Sequence, residues 1–322
     1  MAIACTRADV ALTQVGKQIW PQGSSPLLTI VCMTYNHEWF LEDCLAGFLK
    51  QETSFPVQIV IHDDASSDRT PEIIREHKER HPQLIETILQ SANMYSEGCR
   101  PGVFIKPLIK GKYVALCEGD DYWTDPQKLE KQVRFLEDNP DYVLSFHDAK
   151  VINEQGQFIK GSKMPVAAKR DVSSEQLIKV ATFILNLSLV YRNVALPTAP
   201  EARFILNGDN FNTSRLGWYG KGKYHADIQP AVYRVHPGGV WSCISESKKK
   251  TAKMTSFLWM SHYYARVGEK RIARHFKAKA LIEMFRYIGL ERRWAWPFLV
   301  SPAIVERIGA VVRARLYRGR DL

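Results

Sequence analysis

Three short apolar segments, each ending in polar or acidic residues, constrain the fold of this chain most strongly. They are residues 27–33, 57–61 and 113–117, and each has the length and composition of a buried β-strand. A segment with the apolar spacing of an amphipathic helix follows each of them, and residues 142–146 form a further candidate strand. This alternation of strand and helix predicts an α/β fold with a mostly parallel sheet and helices on both faces.

The third segment ends in a cluster of carboxylates. Glu118, Asp120 and Asp121 stand within four residues, and Tyr122 and Trp123 follow them. Like charges this close at a strand end repel each other unless a cation lies beside them, and a divalent ion with oxygen ligands would satisfy them. The alternative for this segment alone is a solvated acidic turn.

Polar side chains also end the first two strands. Thr34, Tyr35 and Asn36 follow the first strand directly, and Asp63 and Asp64 end the second. In open parallel sheets, ligands bind outside the carboxyl ends of the strands, and a following helix N-terminus favours an anion there. We therefore expect these residues and the acidic cluster to share one crevice.

Other polar segments have simpler explanations. Thr70 and Pro71 are typical of a helix start, as N-cap and N1 residues. Asp209 begins a predicted helix that runs through residue 219, and the residues by themselves favour an N-cap role for it. His236 lies in residues 231–242, a segment that combines a predicted alternating strand with a Pro-Gly-Gly turn, and it could be a metal ligand, a phosphate contact or a loop histidine.

The secondary structure between residues 150 and 200 is less regular. We predict a hairpin turn at Gln155 and Gly156, a helix over residues 174–182 and a strand over residues 187–191.

The composition is that of a chain without disulfides or membrane spans. The six cysteines include no C-x-x-C pair, and Cys32 and Cys117 lie within predicted strands, so we expect free thiols in a reducing cytoplasm. The residues before Pro26 lack the pattern of a signal peptide, and no apolar window is long enough to span a bilayer. We therefore expect a cytoplasmic protein.

The net charge of +10 is concentrated near the C-terminus. Residues 247–322 hold 18 Lys and Arg against five Asp and Glu, a net charge of +13. We predict basic helices over residues 251–267 and 270–288, and a basic amphipathic helix after Ser301 and Pro302. Such a segment suits an anionic membrane surface, and packing against the rest of the chain or a partner subunit is the equal alternative.

Taken together, these motifs resemble those of the family 2 glycosyltransferases, nucleotide-sugar-dependent enzymes with the Rossmann-like GT-A fold. The likeness covers about residues 27–242 and rests on residues 34–36, 63–68, 118–121 and 233–236. It predicts a lead-in at residues 1–26, a GT-A domain at 27–245 and a basic helical C-terminal extension at 246–322.

The resemblance implies a donor site made by the strand ends. Tyr35 and Asp64 would hold a uridine-type nucleotide, with Thr34 and Asn36 beside them. Asp120 would contact the sugar nucleotide of a UDP-sugar donor.

The resemblance also implies a Mn²⁺ or Mg²⁺ cofactor on the donor pyrophosphate. Asp121 is expected as its first ligand, with Asp120 and His236 as further candidates. Arg234 is a candidate for phosphate contact, because its guanidinium can donate two parallel hydrogen bonds.

Two positions depart from the family pattern. Glu118 stands where the aspartate-rich motif usually begins with Asp, and the Glu-Asp pair usual at the base position has no clear copy. Asp209 is the best positional match for the catalytic base, and Asp227 is the reserve. A carboxylate there would take the acceptor proton during an inverting transfer.

We therefore predict a metal-dependent inverting glycosyltransferase, of the hexosyltransferase type, for bacterial surface polysaccharide or glycan assembly. Its acceptor would be a glycan or lipid-linked, and the enzyme would lie in the cytoplasm or peripherally at the inner face of the plasma membrane. The alternative is a non-catalytic nucleotide-sugar-binding scaffold or regulator. Nucleic acid is not an expected partner, because the basic tail matches no nucleic-acid-binding module.

Overall fold

The structure is a computed structural model that describes residues 11–21, 23–239 and 245–291. The strands are β1 (Thr13–Gln14), β2 (Leu28–Thr34), β3 (Glu52–Thr53), β4 (Val57–Asp63), β5 (Ile85–Leu89), β6 (Tyr113–Glu118), β7 (Tyr142–Phe146), β8 (Ala149–Asn153), β9 (Phe158–Lys160), β10 (Val190–Arg192), β11 (Lys221–Tyr224) and β12 (Ala231–Val235). The α-helices are α1 (Leu41–Leu49), α2 (Thr70–Arg80), α3 (Gly102–Ile105), α4 (Lys128–Asp138), α5 (Ser174–Ile178), α6 (Gly208–Leu216), α7 (Glu246–Arg266) and α8 (Lys270–Glu291).

A central sheet with the strand order β11-β7-β10-β6-β2-β4-β5 forms the core of the fold. The strands β6, β2, β4 and β5 run parallel, and β10 is antiparallel to both of its neighbours. Nearly every residue of β2 and β4 is buried, as expected for strands covered on both faces. The predicted α/β fold with a mostly parallel sheet is confirmed.

A smaller sheet with the order β12-β8-β9 carries the late motif. The strands β8 and β9 form the predicted hairpin, and Gly156 in its turn adopts φ +78°, a conformation that favours glycine. Tyr122, just after β6, exchanges backbone hydrogen bonds with Val232 of β12. This link joins the smaller sheet to the end of the acidic loop.

Three predicted element ends differ from the structure. The helix predicted over residues 174–182 ends at Ile178, and Val180 after it has φ +49°, which no helix can accommodate. The strand predicted from residue 187 begins at Val190, because residues 186–188 form a 3₁₀ turn. The helix α2 begins at Thr70 itself, where the prediction had Thr70 as the N-cap before it. The Asp68 carboxylate accepts the Thr70 N–H and so gives a partner to one of the free N–H groups at this helix end.

The described part of a second compact unit comprises residues 178–180, 196–215, 239 and 245–291. Its core consists of the apolar sides of α7 and α8, with Met260, Tyr264 and Phe276 almost fully buried. Both predicted basic helices are therefore present, and the N-cap Ser245 begins the first of them by accepting the Lys248 N–H. The helix predicted after Ser301 lies outside the described residues, and the division at residues 245 and 246 stays a prediction.

Cys32, Cys44, Cys99 and Cys117 are free thiols, as expected, and all but Cys99 are buried. Among the described helices, none is long and apolar enough to cross a bilayer.

The central position of β2 can be tested by truncating a side chain. We expect Ile30→Ala to lower the free energy of unfolding by about 2–5 kcal/mol, because Ile30 is fully buried and its loss leaves a cavity. The control Ile159→Ala, in the exposed strand β9, should change it by less than about 0.5 kcal/mol. Urea unfolding followed by circular dichroism measures both, and equal losses would contradict the burial of β2.

Candidate active site

The acidic loop, residues 118–121, leaves the end of β6 and passes very close to the end of β2. The Gly119 N–H donates to the Met33 carbonyl at 2.9 Å. A Cβ atom on Gly119 would lie 2.9 Å from His37 Nδ1 and 3.0 Å from Thr34 Oγ1. Only glycine therefore lets the loop approach the residues after β2 without displacing them.

Asp120 pairs with the histidine at the end of β12. Asp120 Oδ2 lies 3.0 Å from His236 Nε2, and the His236 side chain is buried. Burial by itself would raise the pKa of Asp120, but the hydrogen bond with His236 and the nearby His37 outweigh it and lower the pKa. The carboxylate is thus charged at neutral pH and faces two imidazoles.

His37 completes a group of three potential metal ligands. One ligand atom from each of His37, Asp120 and His236 lies within 4.8 Å of the other two. Among the described residues, no group donates to or accepts from the buried His37 Nδ1 atom. Burial lowers the pKa of His37, so its ring is neutral at neutral pH and can offer a lone pair. This set of donors fits a divalent ion.

Asp121, the next residue of the loop, is outside this group of three. Its side chain is 3% exposed, and Oδ1 accepts the Arg234 backbone N–H at 2.8 Å. Burial raises the pKa of Asp121 well above its ordinary value, and the charges of Asp120 and Glu118 raise it further. Its role as first metal ligand stays a prediction.

The buried Arg234 side chain connects three parts of the first compact unit. Its Nη2 donates to Asp43 of α1 at 2.9 Å, and its Nε donates to the Asp120 carbonyl at 3.1 Å. Its Nη1 donates to the Glu154 carbonyl at 3.4 Å, and the guanidinium lies over the Phe40 ring. Each guanidinium nitrogen thus has a protein acceptor in the structure, and phosphate contact by Arg234 stays a prediction.

The polar residues after β2 are bound to the loop after β4. Thr34 pairs in register with Asp63, and the Asp64 N–H donates to the Thr34 carbonyl. Asn36 has φ +54°, and its Oδ1 accepts the Ser67 N–H at 2.8 Å. Hydrogen bonds therefore join the ends of β2 and β4, and a crevice shared with the acidic loop stays a prediction.

The predicted nucleotide residues differ in how accessible they are. Tyr35 is 45% exposed, whereas Thr34 is 4% exposed. The two carboxylate oxygens of Asp64 accept the backbone N–H groups of Met94 and Tyr95, at 2.9 and 3.0 Å. Asp64 therefore holds the loop after β5 in place, and its nucleotide contact stays a prediction.

The two candidates for the base belong to different compact units. Asp209 lies in the first turn of α6, in the second unit. Its side chain is exposed, yet desolvation by the surrounding protein raises the pKa of the carboxyl group. Asp227 lies in the first unit, 3.1 Å from His225 Nδ1. Desolvation would raise the pKa of Asp227, but the hydrogen bond with His225 prevails and lowers it.

Sequence reasoning missed His37. The residue directly follows the polar segment 34–36, but no partner histidine stands near it in the chain. The available signal was its position after β2, because β2 lies next to β6 in the sheet and both strand ends meet at one edge. A histidine beside that edge is a candidate ligand for the cation that the acidic loop predicts.

Comparisons with known proteins agree with this architecture. Residues 29–170 match the family model described as glycosyl transferase family 2. The chain is 36% identical over 231 residues to the uncharacterized protein Rv1520 of Mycobacterium tuberculosis, a match that covers 69% of this chain and 63% of Rv1520. The chain thus spans just under two thirds of the length of this relative.

Two other proteins are similar over different extents. The putative teichuronic acid biosynthesis glycosyltransferase TuaG of Bacillus subtilis is 30% identical over 112 residues, which cover 34% of this chain and 42% of TuaG. The structure of S. aureus TarS 1-349 in complex with UDP-GlcNAc superposes with a TM-score of 0.55 at 16% identity, over 86% of this chain and 76% of that chain. The second likeness establishes a shared fold.

The contacts of Arg234 predict that lysine cannot replace it. We expect Arg234→Lys to lower the free energy of unfolding by about 1–3 kcal/mol, because an ammonium group cannot reach all three acceptors of the buried guanidinium. The ion pair contributes little of this, since Asp43 is largely exposed. Arg75→Lys, at an exposed position in α2, is the matched control. Indistinguishable urea midpoints for the two variants would argue against Arg234 as a structural connection.

Proposed function

We propose that this chain, a member of glycosyl transferase family 2, transfers a sugar from a nucleotide sugar to a hydroxyl group of a glycan or lipid-linked acceptor with inversion. The observation that carries this proposal is the meeting of Asp120, His37 and His236 at the carboxyl ends of β2 and β6. In parallel sheets this edge is where nucleotides bind. The match of residues 29–170 to the family covers the same strands.

The proposed cofactor is Mn²⁺ or Mg²⁺. Asp120 and His236 would hold the ion, and the buried His37 Nδ1 atom, which has no partner among the described residues, fits the same ion. The resemblance to the family suggests Asp121 as a further ligand. When bound, the ion would neutralise the charge that develops on the departing diphosphate. The N–H groups and side chains of residues 34–36 and the carboxylate of Asp64 would position the nucleotide.

The proposed base is Asp209. Asp209 is the best positional match for the base of the family, and the raised pKa of its carboxyl group is in the direction that suits a general base. The hydrogen bond with His225 moves the pKa of Asp227 the opposite way, which makes it the weaker base. A single displacement, with the proton of the acceptor hydroxyl passing to Asp209, inverts the anomeric carbon.

The proposed donor is a UDP-sugar, and the proposed pathway is surface polysaccharide assembly. The TarS structures hold UDP and UDP-GlcNAc, which makes uridine nucleotides the first donors to test. The similarity to TuaG, a putative teichuronic acid biosynthesis glycosyltransferase, supports an acceptor among cell-surface polymers.

A metal-dependent donor assay tests the proposal. We expect one of a panel of UDP-sugars to raise the melting temperature and to be hydrolysed slowly when Mn²⁺ is present, and chelation to abolish both effects. GDP-sugars are the parallel panel. Nucleotide binding with no turnover on any donor or acceptor would favour the non-catalytic scaffold instead.

Substitution of the proposed base separates binding from catalysis. We expect Asp209→Asn to lower turnover by about 10²–10⁴-fold, because the acceptor proton loses its base, while the thermal shift with donor is unchanged. Asp227→Asn, which removes the other candidate carboxylate, should retain most activity. The reverse ranking of the two variants would assign the base to Asp227.

We also propose that the enzyme works at the inner face of the plasma membrane. The apolar sides of α7 and α8 are used in the core of the second unit, so the proposed membrane contact falls to the basic residues 292–322. Attraction of such a segment to anionic lipid adds about 1 kcal/mol per basic residue.

Flotation with liposomes tests this location on the full-length chain. Three charge reversals in the basic segment should lower the fraction that floats with phosphatidylglycerol vesicles: Arg307→Glu, Arg313→Glu and Arg315→Glu. The control reverses three exposed basic residues elsewhere: Arg75, Arg80 and Lys110. Equal behaviour of the two triple variants would exclude a specific role for the segment.

A further inference from the structure

We infer that His37 is a further ligand of the proposed metal site, beside Asp120 and His236, and that its imidazole makes the site bind a transition-metal ion before any nucleotide sugar and discriminate against Mg²⁺. The inference deepens the proposed function, and its use in catalysis rests on it. The site would bind Mn²⁺, bind Co²⁺ and Zn²⁺ more tightly, and bind Mg²⁺ weakly.

The first argument is the convergence of three chain segments. His37 follows β2, Asp120 follows β6, and His236 follows β12, so residues distant in sequence bring one ligand atom each to within 4.8 Å of the other two. Among the described residues, these three form the one group of potential metal ligands whose atoms lie this close together. The acidic loop approaches His37 without an intervening side chain, because residue 119 is glycine.

The second argument is the polar atoms that the protein leaves unsatisfied there. The Nδ1 atom of His37 is buried and has no hydrogen-bond partner among the described residues, and neither has Thr34 Oγ1. Both atoms lie within 3.0 Å of the point where a Cβ on Gly119 would stand. A buried polar atom without a partner costs about 1–3 kcal/mol, and a bound ion or its water ligand would recover that loss.

The third argument is that the ligands are held in place without the ion. The His236 ring packs against the Phe40 ring at 4.8 Å between centroids and against the His37 ring, edge to face, at 5.8 Å. The Asp120 carbonyl accepts a hydrogen bond from Arg234 Nε, which fixes the backbone of the loop. Little conformational entropy therefore has to be lost when the ion binds.

The ligand types determine which ion is preferred. Mg²⁺ favours oxygen ligands in a regular octahedron and keeps much of its water, whereas imidazole nitrogen suits first-row transition ions. Two imidazoles with one carboxylate therefore favour the transition ions over Mg²⁺. A site without His37 would have one imidazole fewer, and its preference for transition-metal ions over Mg²⁺ would be weaker.

Electron paramagnetic resonance of Mn²⁺ tests the site on the full-length protein without nucleotide. Bound Mn²⁺ loses the sharp signal of the free aqueous ion, so a titration gives its affinity. We expect His37→Ala to weaken Mn²⁺ binding by about tenfold or more, and His81→Ala, a histidine at the end of α2, to leave it unchanged. Circular dichroism of each variant verifies that the fold is intact.

Competition and a conservative variant test the selectivity. Co²⁺ and Zn²⁺ should displace Mn²⁺ from the wild-type protein at lower concentrations than Mg²⁺ does. His37→Asp replaces a nitrogen with an oxygen ligand, so it should recover part of the Mn²⁺ affinity and narrow the difference between Mn²⁺ and Mg²⁺. Wild-type affinity in His37→Ala, no Mn²⁺ binding by the wild type, or displacement by Mg²⁺ as effective as by Co²⁺ would each overturn the inference.

These outcomes are independent of the test for sugar transfer. Donor hydrolysis by a protein whose His37→Ala variant binds Mn²⁺ as tightly as the wild type would overturn the metal site and leave the proposed function standing. Mn²⁺ binding that depends on His37, without turnover on any donor, would support the metal site and contradict the proposed function.

Discussion

The hydrogen bonds between the acidic loop and β12 are the interaction on which the site depends. Tyr122 and Val232 exchange two backbone hydrogen bonds, and the Asp121 carboxylate accepts the Arg234 N–H beside them. These bonds place the end of β12 against the end of β6, although about 110 residues separate the two in the chain. These hydrogen bonds therefore help to hold His236 beside Asp120.

The same bonds explain how three carboxylates coexist at one strand end. Each has a protein partner: Glu118 accepts the Asn186 side-chain amide, Asp120 pairs with His236, and Asp121 accepts a backbone N–H. These partners partly offset the repulsion among the three carboxylates without a bound cation. Asp120 is the carboxylate of these three that also faces His37, which is why it is the centre of the proposed metal site.

Much of the fold could be predicted because apolar periodicity reports burial directly. Strands β2 and β4 are buried along nearly their whole length, and such burial produces the continuous apolar runs in the sequence. The end of α5 could not be predicted in this way. It coincides with the positive φ of Val180, a conformation that a β-branched residue rarely adopts and that its sequence therefore does not indicate.

The sequence by itself determined the α/β class, the strands that end in polar residues, and the candidates Asp120 and His236, because strand burial and local charge density are properties of short segments. Only the tertiary structure decided that His37 joins them, that Asp64 binds the backbone of residues 94 and 95, and that each guanidinium nitrogen of Arg234 has a protein acceptor. The physical reason is that these are contacts between segments brought together by sheet pairing. A side chain's partners across the sheet leave no periodic signal in its own stretch of sequence.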